Sequence, residues 1–156
     1  MLILGIDSGT KTGWCLYDGI RKKIIESGVE DFSKKRGEGN GMLFLKFRVW
    51  IKKIIHCADD KLSLIIYEQA HHRGGFATEL CVNLTGRIQE EAEAAGITCA
   101  TVHTSTLKKW ATGKGNAGKG EMLAYAKKVL GRNPIDDNEA DAVALAEYGN
   151  NQYLET

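Results

Sequence analysis

The chain opens with the stretch LILGIDSGTKTG, which runs from Leu2 to Gly13. Its apolar half is rich in β-forming residues, is too short for a helix and ends at Asp7, so it predicts a buried central strand with an acid at its end. An ionised carboxylate there is costly unless it is hydrogen-bonded, paired or bound to a metal. The glycines at positions 9 and 13 would let a ligand approach the backbone, which suits a metal-bound phosphodiester or a nucleotide phosphate. Alternatively, Asp7 caps the turn that follows.

A second stretch, Leu62–Glu68, repeats the pattern of a buried strand that ends in an acid. Two strand-end carboxylates, Asp7 and Glu68, would repel each other if their strands lie side by side. A shared divalent cation would neutralise that repulsion. The loop after this strand carries His71 and Arg73 without the spacing of a histidine metal site, so we interpret them as rim residues that contact DNA or water.

The last helix contributes a third acid. Asp136 and Glu139 have the spacing of a capping box, which accounts for both of them structurally. Asp141 lies beyond the first turn of an otherwise Ala-, Val- and Leu-rich helix, where an acid needs a partner. Together with Asp7 and Glu68, it has the pattern of an oxygen-ligand metal cluster.

The composition predicts one globular domain over residues 1–156, since 43% of the chain is hydrophobic and it contains one proline. The net charge is only +1, but charge is segregated along the chain. Residues 104–132 contain seven Lys or Arg and one acid, whereas residues 133–156 contain six acids and no Lys or Arg. A basic segment beside an acidic one suits a phosphate backbone held next to a cation, although solvated helix faces produce the same pattern.

The four cysteines lack the paired spacing of a zinc site, which predicts reduced thiols in a cytosolic protein. The first residues lack the basic and apolar regions of a signal peptide, and no apolar run reaches the length of a membrane span. We therefore expect a soluble, intracellular protein that does not associate with membranes.

The remaining patterns predict an α/β fold. Alternation over Thr12–Tyr17 and Lys22–Val29 predicts two strands that extend the first strand into an antiparallel meander. Helical periodicity marks Met42–Cys57 and Phe76–Ala95, and Ile97–His103 follows as another strand.

One of these helices has two alternative partners. Over Phe76–Ala95, Leu80, Leu84 and Ile88 recur on one face, and the small Gly86 leaves room beside them. This face suits packing on the sheet or against a second copy of the chain.

The basic segment offers four lysines to phosphates. Lys108 and Lys109 lie on a predicted short helix, and Lys114 and Lys119 lie in a glycine-rich loop. The loop differs from a P-loop because Gly120 follows its last lysine and no strand precedes it. We predict that its backbone amides and lysines contact phosphate oxygens.

With these motifs the chain resembles the RuvC family of Holliday junction resolvases, within the RNase H-like nuclease superfamily, and more nearly its phage-type members. The resemblance covers nearly the whole chain and depends on short motifs in a fixed order: Gly5-Ile6-Asp7 with Thr12-Gly13, Tyr67-Glu68-Gln69, Gly113-x-Gly115-x-Ala117-x-Lys119 and Ala140-Asp141-Ala142. It implies an RNase H-like fold with a mixed five-stranded central sheet, antiparallel in its first three strands and flanked by helices.

The resemblance also implies a structure-specific endonuclease that resolves four-way (Holliday) junctions and other branched DNA by paired, metal-dependent phosphodiester hydrolysis. Asp7, Glu68 and Asp141 would be the catalytic residues and would bind two Mg²⁺ ions, for which Mn²⁺ would substitute. Lys108 and Lys119 stand where the family has basic residues near DNA. The family acts as a homodimer, here in the cytoplasm of a bacterium or of a phage-infected host.

The chain departs from the family pattern at two positions. The family commonly has Asp or His three residues before its last Asp, where this chain has Asn138, and an aromatic residue after its Glu-Gln pair, where this chain has His71. Positions three and four before Asp141 share its helix face, so Asp137 or Asn138 could reach the same cation. We favour Asp137 as the fourth metal-binding carboxylate, with Asn138 hydrogen-bonded behind the ligands.

Two other functions fit parts of the sequence. A junction-binding protein with weak or no cleavage would need the basic segment but not all three acids. An actin-like or sugar-kinase-like nucleotide-binding domain has a first phosphate loop similar to residues 5–10. That fold needs two such domains and a second phosphate loop, which 156 residues do not supply.

Overall fold

The structure, a computed structural model, describes residues 1–58, 61–70 and 74–154. Five strands form its sheet: β1 (Leu2–Asp7), β2 (Lys11–Asp18), β3 (Lys23–Asp31), β4 (Leu62–Glu68) and β5 (Thr98–Val102). Their order across the sheet is β3-β2-β1-β4-β5. The first three strands are antiparallel neighbours, whereas β4 is parallel to β1 and β5 is parallel to β4. The predicted mixed sheet is therefore confirmed.

The helices in the described ranges are α1 (Asn40–Cys57), α2 (Gly75–Ala94), α3 (Thr104–Thr112), α4 (Lys119–Leu130) and α5 (Asp137–Gly149), and a π-helical segment, Asn150–Leu154, extends α5. α4 begins at Lys119, which the sequence analysis assigned to the glycine-rich loop, because Gly118 supplies the extended backbone of an N-cap. Lys119 is therefore the first residue of a helix and not part of the preceding loop. None of the described helices is both long and apolar enough to cross a membrane.

The two faces of the sheet carry different helices. Leu4 and Ile6 of β1 pack with apolar residues of α1 and α2. Ile3, on the opposite face of the same strand, packs with residues of α4 and α5. Because helices cover both faces, β1 and β4 are almost continuously apolar, which is the pattern that the sequence shows.

α5 approaches the sheet most closely at two glycines. A Cβ atom on Gly5 would lie 2.5 Å from the carbonyl oxygen of Ala142, and one on Gly13 would lie 1.9 Å from that of Asn138. The expectation that Gly13 makes room for a ligand is wrong, because the backbone of α5 fills that space. The missing side chains instead allow the start of α5 to lie against the sheet.

The apolar stripe of α2 packs on the sheet. Leu80, Leu84 and Ile88 are all buried in the core that α2 shares with α1. The alternative that this face meets a second copy of the chain is therefore wrong. The side of α2 that remains exposed carries Val82 and Gly86.

Candidate metal centre

Three carboxylates converge at one edge of the sheet. Asp7 and Glu68 are the last residues of β1 and β4, and both lie at the same edge because these neighbouring strands are parallel. Asp141, in the second turn of α5, joins them from the helix layer above. One carboxylate oxygen from each residue lies within 4.8 Å of the other two. A cluster of half-buried carboxylate oxygens is the ligand set that hard divalent cations such as Mg²⁺ and Mn²⁺ prefer.

Burial and mutual repulsion shift two of these acids toward their neutral forms. Burial raises the pKa of Asp7 well above its usual value, and the charges of Glu68 and Asp141 raise it further. Burial, followed by the charges of Glu68 and Asp137, raises the pKa of Asp141 to about 7. A divalent cation would neutralise the repulsion and favour the ionised forms. The residues of the site therefore fit a metal electrostatically as well as in ligand type.

The start of α5 is fixed by a buried acid. Asp136 caps the helix, as predicted, by accepting a hydrogen bond from the backbone N–H of Glu139 at 3.0 Å. The other half of the predicted capping box is wrong, because the Glu139 carboxylate accepts from the N–H of Ile135, one residue before the cap, at 2.7 Å. That carboxylate also accepts from the hydroxyl of Ser27 at 2.7 Å and pairs with Arg132 at 2.8 Å. These contacts attach the start of α5 to β3, and so help to aim Asp141.

Asp137 and Asn138 lie beside the three acids. Asp137 is close enough for its charge to add to the raised pKa of Asp141, after burial and Glu68, but the converging group among the described residues does not include it. Its side chain instead lies 3.5 Å from the ammonium of Lys119. The amide of Asn138 donates to the Asp136 carboxylate at 3.2 Å. The identity of a fourth ligand stays a prediction.

Two lysines of the basic segment lie near the acids. Lys108 is half-buried on α3, whereas the side chain of Lys119 is 81% exposed at the start of α4. Burial raises the pKa of Asp141, and the charges of both lysines act in the opposite direction. The segment therefore places positive charge directly beside the carboxylates.

The remaining predicted DNA contacts are Lys109, Lys114, His71 and Arg73. Lys109 and Lys114 are exposed, on α3 and in the turn between α3 and α4. Their position suits contacts with a longer stretch of phosphate backbone. His71 and Arg73 lie outside the described residues.

A cleft of about 270 Å³ opens beside Asp7 and Glu68, toward the first turns of α2. Its lining includes Thr104, which the sequence analysis did not identify as a site residue. The Thr104 hydroxyl donates a hydrogen bond to Oε2 of Glu68 at 2.8 Å. A signal was available, because Thr104 follows β5 and parallel strands end at the same edge of a sheet.

No family model matches the chain. The chain is 28% identical to proteins named crossover junction endodeoxyribonuclease RuvC from Anaeromyxobacter sp. strain K and from Anaeromyxobacter dehalogenans strain 2CP-1. Each alignment covers 94% of this chain and 78% of the relative.

Two solved structures are similar in fold. Thermus thermophilus RuvC matches with a TM-score of 0.78 and 20% identity, over 94% of this chain and 92% of that protein. The same protein in complex with a Holliday junction substrate matches with a TM-score of 0.78 and 19% identity, over 94% and 91% of the two chains.

Proposed function

We propose that this chain, whose predicted resemblance to the RuvC family is confirmed in sequence and in fold, is an endonuclease that resolves four-way DNA junctions. The observation that carries the proposal is the convergence of Asp7, Glu68 and Asp141 beside a basic segment. A protein that only binds junctions has no need for three mutually repelling carboxylates at one point. The likeness to a RuvC fold over nearly the whole chain also argues against the actin-like alternative.

The proposed chemistry is metal-dependent hydrolysis of a phosphodiester. Asp7, Glu68 and Asp141 would hold two Mg²⁺ ions, which would supply an activated water and stabilise charge on the leaving oxygen. Asp7 would be the central one of the three ligands, because β1 lies next to β4 and beneath α5. We further propose Asp137 as the fourth carboxylate, with Asn138 hydrogen-bonded behind it. Mn²⁺ would substitute because it accepts the same oxygen ligands.

The lysines of the basic segment would bind the DNA backbone. Lys108 and Lys119 lie near the acids and would offset charge on the phosphate that is cut. Lys109 and Lys114, farther along the segment, would contact neighbouring phosphates and contribute affinity without sequence preference. His71 and Arg73 stay predicted DNA contacts.

Two symmetric cuts require two active sites, so we propose a homodimer with twofold symmetry. The buried stripe of α2 cannot form its interface. The exposed Val82 and the open space at Gly86 make the outer side of α2 the better surface for a second copy. We place the protein in the cytoplasm, where its DNA substrate lies, and treat residues 1–156 as one nuclease domain. The phage-type assignment stays a prediction.

A synthetic four-way junction tests the proposal directly. Incubation with the protein and Mg²⁺ should give paired nicks at symmetric positions, which end mapping would locate. Asp7→Asn and Glu68→Gln should abolish cleavage but leave junction binding intact or tighter, because each removes charge that repels phosphate. Glu26→Gln, an exposed acid on the edge strand β3, is the matched control and should cut like the wild type. Cleavage by the Asp7 or Glu68 variant at the wild-type rate would contradict the assignment.

A further inference from the structure

Glu68 is held by α3 as well as by its own strand. β5 pairs with β4 so that Glu68 lies opposite Val102, and the chain then turns into α3. Thr104, the first residue of α3, donates its hydroxyl to Oε2 of Glu68 at 2.8 Å. The backbone N–H of Gln69 donates to the Val102 carbonyl at 2.9 Å. The backbone of Glu68 and one of its carboxylate oxygens are therefore both fixed from the β5–α3 side.

The hydroxyl of Thr104 has a well-defined position of its own. His103 caps α3 by accepting from the backbone N–H of Ser105 at 3.3 Å, and its carbonyl accepts from the N–H of Leu107 at 3.0 Å. Leu107 is fully buried and anchors the same turn in the core. Threonine is branched at Cβ, so few side-chain conformations are open to it. The helix therefore sets where the donor lies, and the carboxylate adapts to it.

Without the Thr104 hydroxyl, electrostatic repulsion would favour orientations of the Glu68 side chain that point away from the other carboxylates. Its charge and that of Asp7 repel, because one carboxylate oxygen of each residue lies within 4.8 Å of the other. The cleft of about 270 Å³ beside the two acids leaves room for the Glu68 side chain to turn outward. A hydrogen bond to a carboxylate is stronger than one between neutral groups, so a single donor can oppose this motion.

We infer that Thr104 is a positioning residue, whose hydroxyl holds Glu68 in the orientation that binds a divalent cation. The inference rests on the proposed metal-dependent function. Groups that orient metal ligands through hydrogen bonds typically change metal affinity by roughly 10- to 100-fold when they are removed. Thr104 should therefore affect metal affinity through its hydrogen bond to Glu68.

Calorimetric titration of the full chain with Mg²⁺, without DNA, tests the inference. Thr104→Val keeps the shape of the side chain and removes the hydroxyl, so Mg²⁺ should bind roughly 10-fold more weakly. Thr104→Ala should weaken binding to a similar extent, and Thr104→Ser should restore it. Thr106→Val makes the same change at an exposed position of α3 and should bind Mg²⁺ like the wild type. Junction cleavage by Thr104→Val should recover at high Mg²⁺, and junction binding without metal should not change.

Glu68→Gln distinguishes failure of the positioning role of Thr104 from failure of the proposed metal site. If Glu68→Gln weakens Mg²⁺ binding but Thr104→Val and Thr104→Ala do not, the positioning role is overturned and the metal site stands. If Thr104→Ser binds Mg²⁺ as weakly as Thr104→Val, the hydroxyl is not responsible and the role is likewise overturned. If Glu68→Gln also leaves Mg²⁺ binding unchanged, the proposed metal site itself is wrong.

Discussion

Glu139 and Asp141 are two residues apart on α5, yet their neighbours shift their pKa values in opposite directions. Glu139 is fully buried, but hydrogen bonds from Arg132, Ile135 and Ser27 outweigh the effect of burial and hold its pKa below the usual value. For Asp141, burial and the neighbouring acids raise the pKa to about 7. The two pKa values differ because Glu139 accepts hydrogen bonds from several donors, whereas Asp141 lies near other carboxylates.

This contrast separates an acid that stabilises the fold from acids that prepare a site. Glu139 has its compensating groups within the chain, so it gains nothing from a ligand. Asp141 and its neighbours lack enough compensation in the chain, and a cation would supply it. The same contrast makes both residues testable, because their substitutions should shift stability in opposite directions.

The largest effect should come from Asp141→Asn. Loss of one metal-binding carboxylate should reduce junction cleavage by roughly a thousandfold or more, since the metal contributes several kcal/mol to the transition state. The same variant should be more stable than the wild type at pH 8 without metal, because it removes an unfavourable charge. Single-turnover cleavage and urea unfolding in EDTA measure the two effects. If Asp141→Asn were inactive and also less stable than the wild type, Asp141 would stabilise the fold as Glu139 does, and the contrast would be wrong.

The second prediction is a pH dependence. The pKa of Asp141 is raised from 3.8 to about 7 on folding, so the native state binds the proton more tightly than the unfolded state. The stability that this group contributes is present below about pH 4 and is lost as the pH rises to about 7, on the order of 4 kcal/mol in all. The free energy of unfolding in EDTA, wild type minus Asp141→Asn, should fall over this range. Saturating Mg²⁺ at pH 8 should restore most of the stability that the wild type loses relative to Asp141→Asn. A difference in unfolding free energy that does not change with pH would refute the prediction.

Glu139→Gln should act in the opposite sense. The substitution breaks a pair between a fully buried carboxylate and a partly exposed guanidinium, and should destabilise the protein by roughly 2 to 3 kcal/mol. Urea unfolding with Glu26→Gln, an exposed acid on β3, as control measures the loss. Cleavage per folded molecule should fall far less than for Asp141→Asn. If Glu139→Gln were more stable than the wild type, Glu139 would destabilise the fold as Asp141 does, and the contrast between the two acids would be wrong.

The smallest effects should come from the lysines. Lys114→Ala should weaken junction binding equally for all sequences and reduce the salt slope by about one unit, without changing the rate at saturation. Lys119→Ala should in addition slow cleavage, because this lysine lies beside Asp137 and its charge opposes the raised pKa of Asp141. Binding by filter retention at several salt concentrations, with single-turnover rates, distinguishes the two. Identical behaviour of the variants would mean that Lys119 only binds phosphate.

The sequence was sufficient to predict the individual strands and the three acids, because strand ends and helix turns follow from local periodicity, whereas the resemblance to a family implied the mixed sheet. It predicted the N-cap at Asp136 for the same reason. It did not reveal the partners of Glu139, since Ser27 precedes that residue by 112 positions. Thr104 was missed because the contact between its hydroxyl and Glu68 depends on which strands are neighbours.

The two glycines beneath α5 limit how the chain can vary. A methyl group at Gly13 would have to displace the Asn138 backbone, and Asp141 would move with its helix. Such a protein could keep its core and still present carboxylates at the wrong spacing for a cation. The proposed chemistry thus depends on the absence of a Cβ atom at Gly13, a residue that does not contact the substrate. A screen for activity alone would record position 13 as catalytic, whereas a measurement of helix position would show it to be a spacer.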